Sequence, residues 1–340
     1  MDKATNHTNN QTIINVGIVG GAGYTGGELI RLLINHPQVN IQFIHSKSNA
    51  GEPVYKVHND LLGDTDLIFA SELSNDIDVL FLCVGHGDAH KFLQANTIPN
   101  RIKIIDLSQD FRLLQNAGSI AGKEFIYGLP ELNKTAIQSA NNIANPGCFA
   151  TAIQLGLLPL AKANKLDEVY TTGITGSTGA GQGLSSTSHF SWRANNISAY
   201  KTLQHQHLHE IGQSLHQVSG QALQTDELIN FVPWRGDFTR GIYVTSITKS
   251  TLSLDAVIDL FQSFYADAAF THVSETMIDL KQVVNTSKCL IHIEKQGNKI
   301  AIHSAIDNLL KGASGQAVQN MNLLFGFNEH TGLRLKANYF

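Results

Sequence analysis

The sequence predicts an α/β protein in which a doubly wound, Rossmann-type parallel sheet is followed by a second region of mixed α+β structure. In the first part, short apolar runs typical of buried strands alternate with helical or loop segments, as in a parallel sheet. From Val169 onward glycine, serine and threonine become frequent, and β-rich pieces follow at 241–249 and 290–293. The length of 340 residues also favours two domains.

The individual elements follow from apolar spacing and from the residues that end helices. Leu29, Ile30, Leu32 and Leu33 share a helical stretch that Pro37 ends. The predicted strands are 15–20, 41–45, 78–84 and 102–107, and the predicted helices are 24–36 and 307–326.

Composition excludes several classes of protein. The formal net charge of −4 is spread along the chain without a basic block, which argues against nucleic acid or an anionic membrane as a partner. Residues 1–12 are polar and lack the apolar core of a signal peptide, and no later run approaches the ~18 apolar residues of a membrane span. We therefore expect a cytoplasmic protein.

The three cysteines differ in their surroundings. Cys83 and Cys289 lie inside strand-like apolar runs and are expected to be core residues, and the odd number argues against a disulfide framework. Cys148 follows a Pro146-Gly147 turn and begins an apolar stretch with helical spacing. The N-terminus of a helix favours an ionised sulfur, so Cys148 is the candidate nucleophile. The alternative is a small buried residue that closes a turn.

A glycine-rich segment joins the first predicted strand to the first predicted helix. Its spacing satisfies G-x-G-x-x-G from Gly21 and G-x-x-G-x-x-G from Gly20, which favours a dinucleotide pyrophosphate at the helix N-terminus. The second strand then ends in hydroxyls and a cation instead of an acidic residue, which suits the 2′-phosphate of NADP better than the ribose of NAD. A solvated loop is the alternative. The candidate cofactor residues here are Gly20, Gly23, Tyr24, Thr25, Gly26, Ser46, Lys47 and Ser48.

A histidine-rich stretch follows in the second half. His205, His207 and His209 alternate with other residues, and Glu210 comes next. No histidine follows at the zincin spacing and no cysteine pair lies nearby, so we expect no metal site. General acid–base chemistry, with Glu210 orienting one of these histidines, is the interpretation that we prefer. The alternative is that they are surface histidines leading into a helix.

Three further features point to anion binding. Residues 176–183 form a second glycine-rich loop, either an anion nest or a flexible turn. Arg112 and Arg240 are candidates for gripping a phosphate or carboxylate through the planar guanidinium, with a surface ion pair as the alternative for each.

A nucleotide fold, a cysteine, histidines and arginines together suggest reduction of an acyl phosphate through a thioester. With these features the chain resembles the N-acetyl-gamma-glutamyl-phosphate reductases, the arginine-pathway branch of the aspartate-semialdehyde dehydrogenase superfamily. The segments that carry the resemblance are 17–28, 46–51, 106–112, 127–131, 145–148, 198–201, 205–211, 239–241 and 307–322.

The resemblance implies a division of the chain and an assembly. Residues 1–147, completed by a C-terminal helix at 308–340, are expected to bind NADP(H), and residues 148–307 are expected to form the catalytic and dimerisation domain. The partners implied are an acyl-phosphate substrate and phosphate, and the protein is expected to be a homodimer or homotetramer.

The resemblance also implies roles for single residues. Cys148 expels phosphate and forms the thioester, which hydride from NADPH converts to an aldehyde. Either His205 or His207 is the acid–base residue, with His207 preferred; Gln206 and His209 replace an arginine and a proline of the family pattern. Arg112 grips the leaving phosphate and Asn145 supports the acyl oxygen. Beside them, Glu210 and Arg240 are expected at the substrate, and Gly179 and Asn308 at the cofactor.

Other functions stay open at this point. The same chemistry on the N-succinyl analogue is not distinguished by the sequence. Sister reductases of aspartyl phosphate or a carrier-linked aminoadipyl phosphate are further alternatives, the first disfavoured by the histidine stretch. A non-catalytic NADP-binding regulator that has kept the fold is the alternative from another class.

Overall fold

A computed structural model describes residues 12–221 and 228–340 of the chain. The first sheet has seven strands in the order β3-β2-β1-β4-β5-β7-β6, and every neighbouring pair is parallel. The prediction of a doubly wound parallel sheet is confirmed. The strands are β1 (Ile14–Val19), β2 (Val39–His45), β3 (Phe69–Ala70), β4 (Val79–Leu82), β5 (Lys103–Asp106), β6 (Phe125–Tyr127) and β7 (Asn142–Ala144).

The second sheet is mixed and also has seven strands, in the order β12-β13-β14-β11-β8-β10-β9. β8 runs parallel to β10 and antiparallel to β11, so the sheet combines both kinds of pairing. Side chains of β8 alternate between buried and exposed, as expected for a sheet with one covered face. The strands are β8 (Val169–Thr175), β9 (Ser198–Ala199), β10 (Ile229–Arg235), β11 (Ile242–Lys249), β12 (Thr271–Val273), β13 (Cys289–Gln296) and β14 (Lys299–Ile306).

Helices cover both sheets, and among those described none is long and apolar enough to cross a membrane. The helices are α1 (Tyr24–Leu33), α2 (Asp88–Ala95), α3 (Leu114–Ala117), α4 (Pro130–Ser139), α5 (Cys148–Lys162), α6 (Phe190–Arg193), α7 (His207–Ser219), α8 (Leu254–Phe264) and α9 (Ser314–Leu324). Short 3-10 helices cover Val54–Lys56, Asn59–Leu61, Ser177–Ala180, Ser186–Ser188 and Leu280–Gln282.

The C-terminal helix is shorter than predicted. The carboxylate of Asp307 accepts the backbone N–H groups of Leu309 and Leu310 at 2.8 and 3.2 Å, which holds the chain in a turn. The helix therefore begins only at Ser314 and ends at Leu324, and the prediction of helix from 307 is wrong. Within these bounds α9 packs against α1 and α4 beside the first sheet.

Helix α5 places the candidate nucleophile. Its residues from Phe149 to Ala161 are all buried, because the helix packs against the second sheet and against α7. Gly147 is its N-cap, with extended backbone, and Cys148 is its first residue. Burial of the helix therefore fixes where the cysteine lies.

Candidate active site

The predicted catalytic residues meet at one cavity of about 540 Å³. One wall is the glycine-rich turn between β1 and α1, and the opposite wall is the N-terminal end of α5. Residues far apart in sequence line it together: Arg112, Asn145, Cys148, His205 and His207.

The thiol of Cys148 holds its proton more firmly than the helix position alone predicts. Burial raises its pKa, and this outweighs the backbone N–H of Phe149 and the charge of Arg112, which lower it; Glu210 raises it further. The expectation that the helix N-terminus yields a readily ionised thiol is therefore wrong for this structure. A thiolate here depends on a group that takes up the proton.

Arg112 is buried and already bonded to the protein. Its Nε donates to the carbonyl oxygen of Asn145 at 2.8 Å and its Nη2 to that of Leu107 at 2.9 Å. Its Nη1 donates to Oε1 of Glu210 at 3.0 Å. Three of the five N–H groups of a guanidinium are thus used, and one on each terminal nitrogen stays available for an anion.

Glu210 supports the Pro146-Gly147 turn before Cys148, which we call the catalytic turn. It does not itself line the cavity with Cys148. Its Oε2 accepts the Tyr127 hydroxyl and the backbone N–H of Gly147, both at 2.9 Å. It is only 3% exposed. The expected contact of Glu210 with substrate is therefore corrected: this carboxylate orients Arg112 and the residue before Cys148.

Both candidate histidines are neutral, and their hydrogen bonds indicate one tautomer. Nδ1 of His207 accepts the backbone N–H of Ala150 at 3.3 Å, and Nδ1 of His205 accepts that of His207 at 3.2 Å. The ring proton of each therefore lies on Nε2. Burial lowers the pKa of His205 to about 3 and that of His207 well below its usual range.

His207 is the histidine that lies beside the catalytic turn. A Cβ added to Gly147 would come within 2.4 Å of its Nε2 and within 2.8 Å of Nη1 of Arg112. His205 instead packs against aromatic rings, with centroid distances of 5.7 Å to Phe149 and 5.6 Å to Phe231.

Two further predicted substrate residues are held by the protein itself. The side chain of Asn145 accepts from Asn320 at 3.0 Å and donates to the carbonyl oxygen of Ala313 at 3.1 Å, although it still lines the cavity. Arg240 does not line the cavity. Its guanidinium is paired with Glu28 and, at 3.0 Å, with Asp307, so it links α1 to the end of β14. The expectation that Arg240 grips substrate is corrected accordingly.

The nucleotide side of the cavity fits a dinucleotide. Gly20 has a φ of +81° and a Cβ there would lie 2.4 Å from the carbonyl oxygen of Cys83, so only glycine fits this turn. A pocket of about 610 Å³ continues from it, with Ser46, Lys47 and Ser48 on its wall. A cation and two hydroxyls at this end of the pocket suit a phosphate.

The glycines of this turn have different roles. Gly23 lines both the nucleotide pocket and the cavity at Cys148, and a Cβ there would lie no closer than 3.8 Å to the protein. Gly26 lies in neither lining, and its Cβ would come within 2.6 Å of the Gly20 carbonyl oxygen. The expected cofactor contact of Gly26 is corrected: it allows α1 to pack closely on the turn.

The remaining predicted cofactor residues lie at the cavity of Cys148 and not in the lining of the nucleotide pocket. Tyr24, Thr25, Gly179 and Asn308 all line the cavity at Cys148. Asn308 accepts the backbone N–H of Gly241 at 2.7 Å and donates to Thr178 at 3.0 Å, which ties the second glycine-rich loop to the end of β14.

Sequence reasoning missed several residues of this cavity. Tyr200 and Arg235 line it, and so does His86, in the loop after β4. Tyr200 and Lys201 stand in a segment that carries the resemblance, which was a usable signal. Arg235 ends β10, and nothing in its local sequence distinguishes it from a surface arginine.

The structure also describes the other two cysteines and the surroundings of the histidine-rich stretch. Burial raises the pKa of both Cys83 and Cys289 to about 12, as expected for core residues, although Cys83 also touches both pockets. Within residues 12–221 and 228–340 there is no group of three or more histidine, cysteine or acidic side chains that could hold a metal ion. His209 is exposed and lines a neighbouring pocket with Glu210.

Comparison with known proteins defines the class first. Residues 15–140 match the family model of the semialdehyde dehydrogenase NAD-binding domain, and residues 148–308 match that of the semialdehyde dehydrogenase dimerisation domain. Solved structures agree on the fold. Aspartate semialdehyde dehydrogenase II from Vibrio cholerae superposes with a TM-score of 0.71 at 16% identity, covering 93% of this chain and 99% of that one. The enzyme from Candida albicans, solved with NADP, gives 0.66 at 12% identity, with 92% and 99% covered. The fold and the matched domains are those of a nicotinamide-dependent oxidoreductase of the semialdehyde dehydrogenase type.

Curated relatives narrow the class. The N-acetyl-gamma-glutamyl-phosphate reductase of Christiangramia forsetii is 55% identical over 329 residues, covering 96% of this chain and all of the relative. Those of Azobacteroides pseudotrichonymphae and Bacteroides fragilis are each 56% identical over 330 residues with the same coverage. The chain belongs to the N-acetyl-gamma-glutamyl-phosphate reductase family.

Proposed function

We propose that the protein reduces N-acetyl-gamma-glutamyl phosphate to N-acetylglutamate semialdehyde with NADPH, through a thioester on Cys148, in arginine biosynthesis. The observation that carries this proposal is the shared cavity. Cys148 lines it from α5, and Gly23 lines both it and the nucleotide pocket. An acyl group bound to the sulfur therefore lies next to the place where a nicotinamide ring enters.

The first step is attack of the Cys148 sulfur on the acyl carbon. The sulfur–carbon bond forms, the carbon–oxygen bond to phosphate breaks, and the departing phosphate takes up the proton of the thiol and leaves as hydrogen phosphate. Burial raises the pKa of the Cys148 thiol, and the backbone N–H of Phe149 and the charge of Arg112 offset part of this rise and favour the ionised sulfur. Arg112 also has two uncommitted N–H groups with which to bind the departing phosphate, one of them on Nη1 beside Gly147.

His207 is the proposed acid–base residue. Its Nε2 carries the proton in the neutral ring and faces Gly147, one residue from the nucleophile. It is therefore placed to donate a hydrogen bond to the substrate oxygen on which charge develops. Because the pKa of His207 is lowered by burial, the ring stays neutral at physiological pH.

The cofactor proposed is NADP(H). Gly20 and Gly23 would approach the pyrophosphate, Lys47 with its flanking serines would hold the 2′-phosphate, and Gly179 and Asn308 would border the nicotinamide. When bound, the reduced nicotinamide supplies the hydride that turns the thioester into the aldehyde.

Domain roles and assembly form part of the same proposal. Residues 1–147 with 308–340 would bind the cofactor, since α9 packs on α1 and α4, and residues 148–307 would carry catalysis and self-association. The second sheet has one exposed face, on which Tyr170 is 58% and Ile247 42% exposed. These features support a homodimer or homotetramer.

The test is the reverse reaction. NADPH formation from NADP, phosphate and N-acetylglutamate semialdehyde is measured by absorbance, beside the N-succinyl analogue and a Cys148→Ser variant. Phosphate-dependent activity that the variant loses supports the proposal, and the preferred analogue identifies the acyl group. Binding of NADP without activity on either aldehyde would instead favour a sister reductase or a regulator.

A further inference from the structure

Positive charge in the catalytic cavity is not balanced by acidic groups lining it. Its cationic residues are Arg112, Lys201 and Arg235, and none of the described lining residues is an aspartate or glutamate. An anion that enters is therefore attracted without meeting a like charge.

The three cations differ in how much of their charge the protein already uses. Arg112 is paired with the buried carboxylate of Glu210 at 3.0 Å. Lys201 is exposed and donates to Oε1 of Gln206 at 2.7 Å. Arg235 has no carboxylate within ion-pairing distance among residues 12–221 and 228–340, and its buried Nε has no hydrogen-bond partner there.

Arg235 is held in place although no described carboxylate forms an ion pair with it. It is the last residue of β10 and pairs with Thr175 of β8, which also lines the cavity. Its guanidinium carbon lies 4.8 Å from the centre of the Tyr200 ring, within cation–π distance. A guanidinium set on a strand and against an aromatic ring loses little freedom when it binds a ligand.

A second arginine lies behind it and increases the local charge. Nη1 of Arg193 donates to the backbone carbonyl of Arg235 at 3.5 Å, and its Nη2 donates to that of Thr187 at 3.1 Å. Burial lowers the pKa of Arg193, the positive charge of Arg235 lowers it further, and the carboxylate of Asp237 offsets part of this decrease. Two arginines so close to each other are stabilised when an anion binds beside them.

The substrate of the proposed function carries two anionic ends, and the cavity offers two arginines at different places. Nη1 of Arg112 lies beside Gly147, next to the reacting sulfur, which suits the phosphate that leaves the acyl carbon. Arg235 lines the same cavity and stacks on Tyr200. Burial and then the charge of Cys148 raise the pKa of Tyr200 to about 12, and the charge of Arg235 offsets part of this rise. Tyr200 thus interacts with both the nucleophile and Arg235, and one cavity of about 540 Å³ is lined by all three residues.

We propose that Arg235, stacked on Tyr200 and paired with no acid of the described residues, binds the α-carboxylate of the substrate and selects for acyl groups that carry one. This inference rests on the proposed function. It concerns recognition of the end of the substrate that does not react.

The experiment compares two aldehydes in the phosphate- and NADP-dependent reaction. One is N-acetylglutamate semialdehyde, and the other is 4-acetamidobutanal, which lacks only the carboxylate. Arg235→Met should raise KM for the semialdehyde about 10- to 100-fold and leave KM for 4-acetamidobutanal and for phosphate unchanged. Arg235→Lys should keep part of the discrimination, because a cation remains.

Arg193→Met is the matched control, since it removes a neighbouring cation that does not line the cavity. It should leave the ratio of kcat/KM between the aldehydes as in the wild type. Equal loss on both aldehydes in Arg235→Met, a raised KM for phosphate in that variant, or collapse of the ratio in Arg193→Met would each overturn the inference. A wild-type protein that turns over neither aldehyde would overturn the proposed function itself, and the inference with it.

Discussion

The two walls of the catalytic cavity are built in different ways. The nucleotide wall is made of backbone: Gly20 and Gly23 leave room for a ligand, and Gly26 leaves room for α1 to pack. The opposite wall carries side chains that are held by bonds across long sequence distances. Glu210, which does not line the cavity itself, joins Arg112, Tyr127 and the Gly147 amide. We therefore expect substitutions on the first wall to change cofactor binding and substitutions on the second to change chemistry.

The largest expected effect is a difference in kcat between variants of the two histidines. His207→Asn is expected to lower kcat by about 10²- to 10⁴-fold, because it removes the N–H donor beside Gly147. His205→Asn should have a smaller effect, since that ring packs among aromatic side chains. Steady-state kinetics with NADP affinity measured in parallel tests this. Equal losses in both variants, or weakened NADP binding, would contradict it.

Glu210→Gln should combine a stability loss with a catalytic loss. The substitution leaves Arg112 buried without its counter-charge, at a cost of about 3–5 kcal/mol in the free energy of unfolding. Chemical denaturation and kcat are the measurements. Glu131→Gln is the matched control, because Glu131 is equally buried and paired with Lys311 at 2.7 Å but lies away from the cavity.

The control variant should lose comparable stability and keep kcat. If Glu131→Gln lowers kcat as much as Glu210→Gln does, stability alone explains both losses, and the positioning role of Glu210 is wrong.

Two glycine variants separate packing from ligand contact on the backbone wall. Gly26→Ala should reduce the free energy of unfolding by about 1–3 kcal/mol, since its Cβ would overlap the backbone of the turn. Gly23→Ala should leave stability within about 0.5 kcal/mol, because its φ of −80° and open surroundings tolerate a methyl group. It should still raise the Kd of NADP about tenfold, measured by fluorescence, because the methyl group occupies space at the pyrophosphate. Gly118→Ala is the neutral reference, because an added Cβ there meets nothing within 4 Å. Unchanged NADP affinity in Gly23→Ala would contradict the proposed contact of Gly23 with the pyrophosphate.

Lys47 tests the cofactor preference. Lys47→Gln should reduce the preference for NADP over NAD about tenfold, because a charged hydrogen bond to the 2′-phosphate is lost. Lys91→Gln is the control: Lys91 lines the same pocket but is paired with Asp88 at 3.0 Å. The measurement is the ratio of kcat/KM for NADP to that for NAD. An equal change of this ratio in both variants would show a general effect of charge and would contradict a specific role of Lys47.

The smallest effect expected is a pH dependence of stability. Because the folded pKa of His205 is depressed to about 3, the unfolded chain binds a proton below pH 6.5 that the folded chain does not. Stability is thus full above pH 6.5 and falls as the pH drops, by at most about 1.4 kcal/mol per pH unit for each such histidine. Asp106 opposes this, because burial raises its pKa to about 7 and the folded protein keeps a proton that the unfolded chain releases.

Two buried histidines, His205 and His207, lower the stability as the pH falls, and only Asp106 is set against them. Denaturation midpoints should therefore decrease from pH 7 to pH 5. The slope should be shallower in His205→Gln. A slope that this substitution leaves unchanged would show that His205 is not neutral in the folded protein.

Much of the site was predictable because its signals are local. The strand–turn–helix order around Gly20, and the turn before Cys148, depend on residues that adjoin in sequence. The error at 307–313 arose because the side chain of Asp307 competes with the helix for backbone N–H groups, which apolar spacing does not register.

The sequence by itself determined the parallel sheet, the glycine turn, the candidate nucleophile and the family to which the chain belongs, since each depends on short-range patterns. Only the tertiary structure decided what the charged residues do. Glu210 meets Arg112 across 98 residues and Arg240 meets Glu28 across 212, so their partners and burial could not be predicted locally. The same holds for the pKa of Cys148, because burial against distant segments outweighs the local effect of the helix N-terminus.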